Sequence, residues 1–127
     1  EIGRLIRKYG LSTLTDAKNM NCASACTFLF GSGINRYYLN GNLIKDGIYE
    51  RSALKTGLGF HEANTPVGRS GKKEYSGHGT AEAISIYYEF GIKNAKDLML
   101  LSPYDKFYRI SGETALKLGI ATSLKYP

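Results

Sequence analysis

Asn21-Cys22-Ala23-Ser24-Ala25-Cys26-Thr27-Phe28-Leu29-Phe30-Gly31 follows a polar loop, Asp16 to Asn21, and passes from small residues into an apolar run that ends in glycine. The run reads as a helix opened by Ser24. Small neighbours leave the hydroxyl approachable, and a serine at a helix start has unpaired backbone N–H groups and the positive end of the macrodipole beside its oxygen, where an acyl oxyanion needs donors. Ser24 is therefore a candidate nucleophile. On local sequence the simpler reading is an N-cap, since serine is favoured there and small residues also permit close helix packing.

Two other segments bring the remaining parts of an acyl-transfer site. Gly57-Leu58-Gly59-Phe60-His61-Glu62-Ala63 reads as a short buried strand with a histidine at its end, and Tyr104-Asp105-Lys106-Phe107-Tyr108 reads as an acid in a loop before a helix. Of the two histidines, His61 ends an apolar strand, whereas His78 lies in Ser76-Gly77-His78-Gly79-Thr80, a polar run before a helix where a surface histidine is the ordinary outcome. A general base needs rigid placement, which favours His61. Glu62, next in a continuing strand, points to the opposite face. Among acids near the other motifs Asp105 fits better than Asp97 or Glu113, which are expected on helix surfaces.

Cys-Ala-Ser-Ala-Cys with Phe-Leu-Phe-Gly, then Gly-Phe-His, then Asp105-Lys106-Phe107 leading through Ser111-Gly112-Glu113-Thr114-Ala115 to Leu118-Gly119-Ile120, resembles the Clp-protease and crotonase-fold superfamily, and most of all bacterial exported proteins with a Clp-protease-like domain. The resemblance implies an α/β fold of ββα repeats. It also implies Ser24 as nucleophile, His61 as general base, Asp105 as the residue orienting the imidazole and the Ala25 N–H as one oxyanion donor. A periplasmic or secreted setting follows from it, although no signal peptide is legible in the chain. That setting allows Cys22 and Cys26 to form a disulfide if the segment between them is not fully helical; burial of both thiols is the default, and a cysteine nucleophile paired with His61 is a further reading that ranks below Ser24.

The chain departs from the family in three places. The connection from Ser24 to His61 is long, with Asn40 to Ser52 resembling an insertion; extra residues separate Asp105 from Gly119; and the Gly-Gly loop that supplies a second oxyanion donor in these proteases has no counterpart. The expectation is a Clp-protease-like domain over residues 1–127 that lacks its first strands, exposes a sheet edge and turns over weakly at best. A catalytically inactive binding or assembly module on the same fold is the alternative. Acyl-CoA chemistry on a crotonase fold ranks last, because such enzymes do not need a Ser, His, Asp set.

Composition bounds these readings. A chain of 127 residues, 43% hydrophobic and 22% charged, builds one core and not two. The net charge of +6 comes from scattered basic residues, with one local group at Arg69, Lys72 and Lys73 that reads as a solvated loop, and no recognised nucleic-acid-binding motif accompanies it. No apolar run approaches the ~20 residues of a membrane span. Two cysteines and two histidines without metal-ligand pairing in sequence give no zinc motif, and no cofactor is expected. The partner implied is a peptide or protein substrate, with a homo-oligomer as a second possibility.

Periodicity sets the remaining elements. Ile2, Leu5, Ile6 and Tyr9 mark one face of a helix over Glu1 to Tyr9, with Arg4, Arg7 and Lys8 facing away and Gly10 ending it. Leu11 to Thr15, Arg36 to Leu39 and Leu58 to His61 are strand candidates. From Gly77 onward the pattern predicts mainly helix: Ala81 to Phe90 capped by Thr80, Ala95 to Leu101 capped by Asn94, and a short helix opened by Ser111 and stopped by Gly119. Tyr87, Tyr88 and Phe90 suit either subunit packing or an intramolecular core.

Overall fold

The structure, a computed structural model, describes residues 2–61, 64–67, 72–75, 77–103 and 105–127. Along the chain, α1 (Ile2–Lys8) is followed by β1 (Thr13–Asp16), β2 (Asn21–Ala23), α2 (Ala25–Gly31), β3 (Arg36–Leu39), a 3₁₀ turn at Gly41–Leu43, β4 (Gly47–Glu50) and β5 (Gly57–Phe60). A hairpin of β6 (Asn64–Val67) and β7 (Lys72–Tyr75) then leads to α3 (Gly77–Glu89), α4 (Ala95–Leu101), β8 (Lys106–Ile110) and α5 (Gly112–Lys117). It is a mixed α/β fold.

Successive strands serve different sheets. β1 pairs with β3 in parallel, while β2 pairs in parallel with β5 in a four-stranded sheet ordered β2-β5-β8-β4, whose last two pairings are antiparallel. Tyr38 joins the two sheets: its ring is fully buried, its hydroxyl donates to Ile110 O at 2.7 Å, and it accepts from Leu58 N–H at 3.1 Å. Burial pushes the Tyr38 phenol up to about 12. One contiguous cluster holds these residues together with Cys22, Phe30, Phe60, Tyr87, Ile92 and Leu98.

Several elements differ from the sequence reading. The first helix does not bury Ile2, Leu5 and Tyr9, which are 64%, 49% and 68% exposed; its buried residue is Gly3, set against the Phe90 ring. The cause is Arg7. Its guanidinium lies over Phe90 and donates to Gly31 O and Ser32 O at the end of α2 and to Phe90 O just after α3, which draws Arg7 inward while Arg4 and Lys8 stay exposed. The segment from Asn40 to Ser52 contains the 3₁₀ turn and an edge strand, β4, paired along its length with β8.

From Gly77 onward helix prevails, in α3, α4 and α5, but the stretch from Lys106 to Ile110 forms a strand, β8, rich in residues suited to a half-buried sheet. Thr80 does not cap a helix: α3 begins at Gly77, so His78 lies in its first turn instead of in a loop before it. Lys72 and Lys73 lie in β7, whereas Arg69 falls outside the described residues. Tyr87 and Phe90 are core residues and Tyr88 is exposed. Ser111 does cap α5, accepting from Thr114 N–H, and Gly119 follows at φ 74°, as Gly10 follows α1 at φ 65°.

Candidate functional site

Parallel pairing of β2 with β5 determines what meets at the carboxyl ends of these strands. Asn21, Cys22 and Ala23 stand opposite Gly57, Leu58 and Gly59, and the ladder continues one step further, with Ser24 N–H donating to Gly59 O at 3.1 Å. Ser24 is thus tied to β5 two residues short of His61. The consequence is contact: Ser24 Oγ and His61 Nε2 are 3.0 Å apart, a hydrogen-bond distance suited to a nucleophile and its base.

Ser24 does not cap α2 in the usual way. It stands immediately before the helix instead of within its first turn, its side chain makes no capping hydrogen bond, and its backbone lies at φ 57°, ψ −122°. A positive φ is unfavourable for a residue with a Cβ, and such outliers persist where surroundings hold them. A strand, a sharply turned serine and a helix is also the geometry by which serine hydrolases lift a nucleophile clear of its neighbours. Here the hydroxyl is freed from helix capping and given to His61.

Two devices hold the turn. Cys22 and Cys26 are joined in a disulfide that brackets Ser24, with their Cα atoms 5.0 Å apart. Thr27, 2% exposed, closes the other side: its N–H and its Oγ1 both donate to Ser24 O, at 3.0 and 2.6 Å. With the Thr27 proton committed, the hydroxyl of buried Tyr87 donates to Thr27 Oγ1. Burial pushes the Tyr87 phenol well above its ordinary value, with the Thr27 contact acting the other way, so it stays neutral and donates.

Beside the Ser24–His61 pair opens a pocket of about 210 Å³ with apolar walls from Phe28, Phe60, Ala83, Ile86, Tyr87 and Met99, and with Glu82 on its lining. Phe28 and Phe60 pack on the Tyr87 ring at centroid distances of 4.8 and 6.1 Å. His61 is half-buried, its ring tilted against Phe107 at 5.4 Å. Phe107 in turn lies beneath the Arg51 and Arg109 guanidinium groups, at 4.7 and 4.8 Å.

Arg109 is fully buried and donates to Gly57 O and Leu54 O, which fixes the entry into β5 and so the strand that carries His61.

Asp105 occupies a different setting from the one read in sequence. It is exposed in the turn before a strand, not before a helix, and among the described contacts none joins it to His61. The paired register ends at Phe60 opposite Tyr108, and beyond it the His61 ring meets Phe107, two residues along the chain from Asp105. Asp97 and Glu113 sit exposed in the first turns of α4 and α5, and Glu62 falls outside the described residues.

Ala25 is exposed as the first residue of α2, and its N–H has no acceptor among the described residues. Sequence reasoning missed Thr27, Tyr87 and Glu82 as parts of the site. Their spacing carried a signal, since Glu82, Ala83, Ile86 and Tyr87 recur at one and four positions and share a face of α3, but nothing in the sequence told which element that face would meet. No group of three or more His, Cys, Asp or Glu side chains that could hold a metal ion occurs among the described residues. No helix of the described residues is long and apolar enough to cross a membrane.

Comparison with protein-family models, curated proteins and solved structures finds no match to this chain.

Proposed function

We propose that the chain is a serine hydrolase acting on peptide bonds, with Ser24 as nucleophile and His61 as general base. The single observation that supports it is the 3.0 Å contact between Ser24 Oγ and His61 Nε2, made by a serine whose positive φ withdraws it from helix capping. Ser24 Oγ attacks the carbonyl carbon while His61 Nε2 accepts its proton. The tetrahedral oxyanion takes a hydrogen bond from Ala25 N–H. On collapse the amine leaves with the proton returned by His61, and water hydrolyses the acyl-enzyme by the same proton path. The apolar pocket suits a substrate residue with an apolar side chain. Asp105 acts as a positioning residue across the β5–β8 pair, favouring the imidazolium through space.

The finer fold reading, a Clp-protease or crotonase-like ββα repeat, is proposed on the strand order. β1 and β2 enter different sheets, α2 follows, and β3 and β5 then pair in parallel with β1 and β2 respectively; Ser123 adds an isolated parallel bridge to β3. A periplasmic or secreted location accords with the disulfide.

The test is labelling by a fluorophosphonate, which reacts with an activated serine and spares a capping one. The expected result is labelling of the native chain, none of Ser24→Ala, and a large loss for His61→Ala. A folded native chain that takes no label would sink the hydrolase reading and leave the binding or assembly module.

A further inference from the structure

We propose that the Cys22–Cys26 disulfide is a thiol-sensitive positioning bond for Ser24: closed, it holds the hydroxyl against His61, and opened by a thiol, it lets the turn relax and the pair separate. The inference rests on the serine-nucleophile reading but can fail independently of it.

The argument begins with chain length. Residues four apart lie about 6 Å apart along a helix and about 13 Å along a strand. A bond that pins the Cα atoms of Cys22 and Cys26 at 5.0 Å therefore forces the chain to turn sharply between β2 and α2, and Ser24 is the residue at the middle. Serine resists φ 57°. The opposing restraints are the Ser24 N–H bond to Gly59 O, the two Thr27 bonds to Ser24 O, and the disulfide. Of these, the disulfide is the one that a solution condition can remove while leaving every side chain in place.

The bond is also within reach. Cys22 is 2% exposed, but Cys26 is half-buried, and both line a surface depression of about 450 Å³ with Thr13, Leu14 and Met20. Ser24 and His61 do not line it, so a thiol reaches the sulfur without crossing the hydrolytic pocket. A thiolate of a dithiol reductant attacks Cys26 Sγ, the Sγ–Sγ bond breaks, and Cys22 departs as the thiolate. The reductant's second thiolate then attacks its own sulfur in the mixed disulfide, releasing Cys26. Two protein thiols form, the reductant ends as a disulfide, and its two protons pass to the cysteines.

The experiment compares the oxidised chain, the chain reduced with dithiothreitol, and Cys22→Ser/Cys26→Ser, with thiols counted and far-ultraviolet circular dichroism recorded for each. Reduced protein should expose two thiols, keep its circular dichroism, label with fluorophosphonate roughly tenfold or more slowly, and recover on reoxidation; a strained residue released from restraint shifts population by about that factor or more. The double variant should match the reduced form and ignore the reductant. Equal labelling of oxidised and reduced protein would overturn the inference, as would global loss of circular dichroism on reduction, which would make the bond a general staple.

If even the oxidised chain takes no label, the hydrolase reading fails, and the ¹⁵N signals of the His61 imidazole decide the positioning role. A change in them on reduction, reversed by oxidation, supports the clamp. Identical signals in both forms refute it.

Discussion

Replacing Thr27 by valine removes one hydroxyl and almost no volume, and the structure gives its cost in two parts. Ser24 O loses the bond from Thr27 Oγ1 but keeps the one from Thr27 N–H, so this part is about 1 kcal/mol. The second part falls on Tyr87, 3% exposed, whose hydroxyl donates to Thr27 Oγ1 and is left buried with a methyl group opposite it. An orphaned buried donor costs about 1–3 kcal/mol, which brings Thr27→Val to about 2–4 kcal/mol in all.

Tyr87→Phe alone leaves Thr27 bonded to Ser24 O and should cost about 1 kcal/mol. In Thr27→Val/Tyr87→Phe no donor is orphaned, so the double variant should cost about 1–2 kcal/mol and be more stable than Thr27→Val by itself. Urea unfolding monitored by circular dichroism measures all three, with midpoints in heat displaced by about 3–5 °C per kcal/mol for a chain of this size. Additive costs would refute the chain of bonds from Tyr87 through Thr27 to Ser24. Fluorophosphonate labelling should slow most in Thr27→Val, the variant that both removes one of the two bonds to the Ser24 carbonyl and strands the phenol.

Acid sensitivity should trace to Asp16 and Glu89. The Asn40 amide and the Lys18 N–H hold the Asp16 carboxyl below its ordinary value, and Arg4 does the same for Glu89 through a pair of bonds at 2.7 and 2.9 Å. A carboxylate with a depressed folded pKa contributes stability that is present above its unfolded pKa of about 4 and is lost as pH falls through the folded value. Asp16→Asn and Glu89→Gln should therefore flatten the fall in stability below about pH 4, and an unchanged slope in urea titrations across that range would contradict it. Gly41→Ala should destabilise by several kcal/mol, because its Cβ would lie 2.5 Å from Gly112 backbone atoms that cannot step aside, and an unaltered melting point would refute the close approach. β1 and β2 each leave one edge unpaired among the described strands, close in sequence to exposed Leu14 and Met20, so the chain should self-associate with concentration; sedimentation showing a monomer throughout would count against this.

What was legible in the sequence was local. The small-residue run at Ser24, the apolar strand ending at His61 and the glycines that stop α1 and α5 follow from spacing and side-chain size. The orientation of α1 was not, since apolar periodicity alone favours burying Ile2, Leu5 and Tyr9, whereas three carbonyls supplied by Gly31, Ser32 and Phe90 draw Arg7 inward. β4 was hidden for a similar reason: Gly47-Ile48-Tyr49-Glu50 has no core of its own to face and becomes a strand by pairing with β8. Asp105 precedes a strand and not the helix that the family pattern implies, because the β preference of Phe107 and Tyr108 and the pairing partners on both sides make them a central strand.

The same distinction separates the proposed nucleophile from its support. A serine flanked by alanines and cysteines is visible in one dimension, but its strained φ is maintained by groups scattered across the fold: Gly59 on β5, Cys22 on β2, Thr27 on α2 and, through Thr27, Tyr87 on α3. Tyr87 also forms part of the pocket wall, so a side chain that faces the pocket is bonded to the residue that fixes the Ser24 carbonyl. A substituent that fills the pocket and tilts the Tyr87 ring must therefore disturb Ser24 as well. Binding in that pocket and reactivity at Ser24 should vary together across Tyr87 variants, with Tyr87→Phe retaining the wall and losing only the bond.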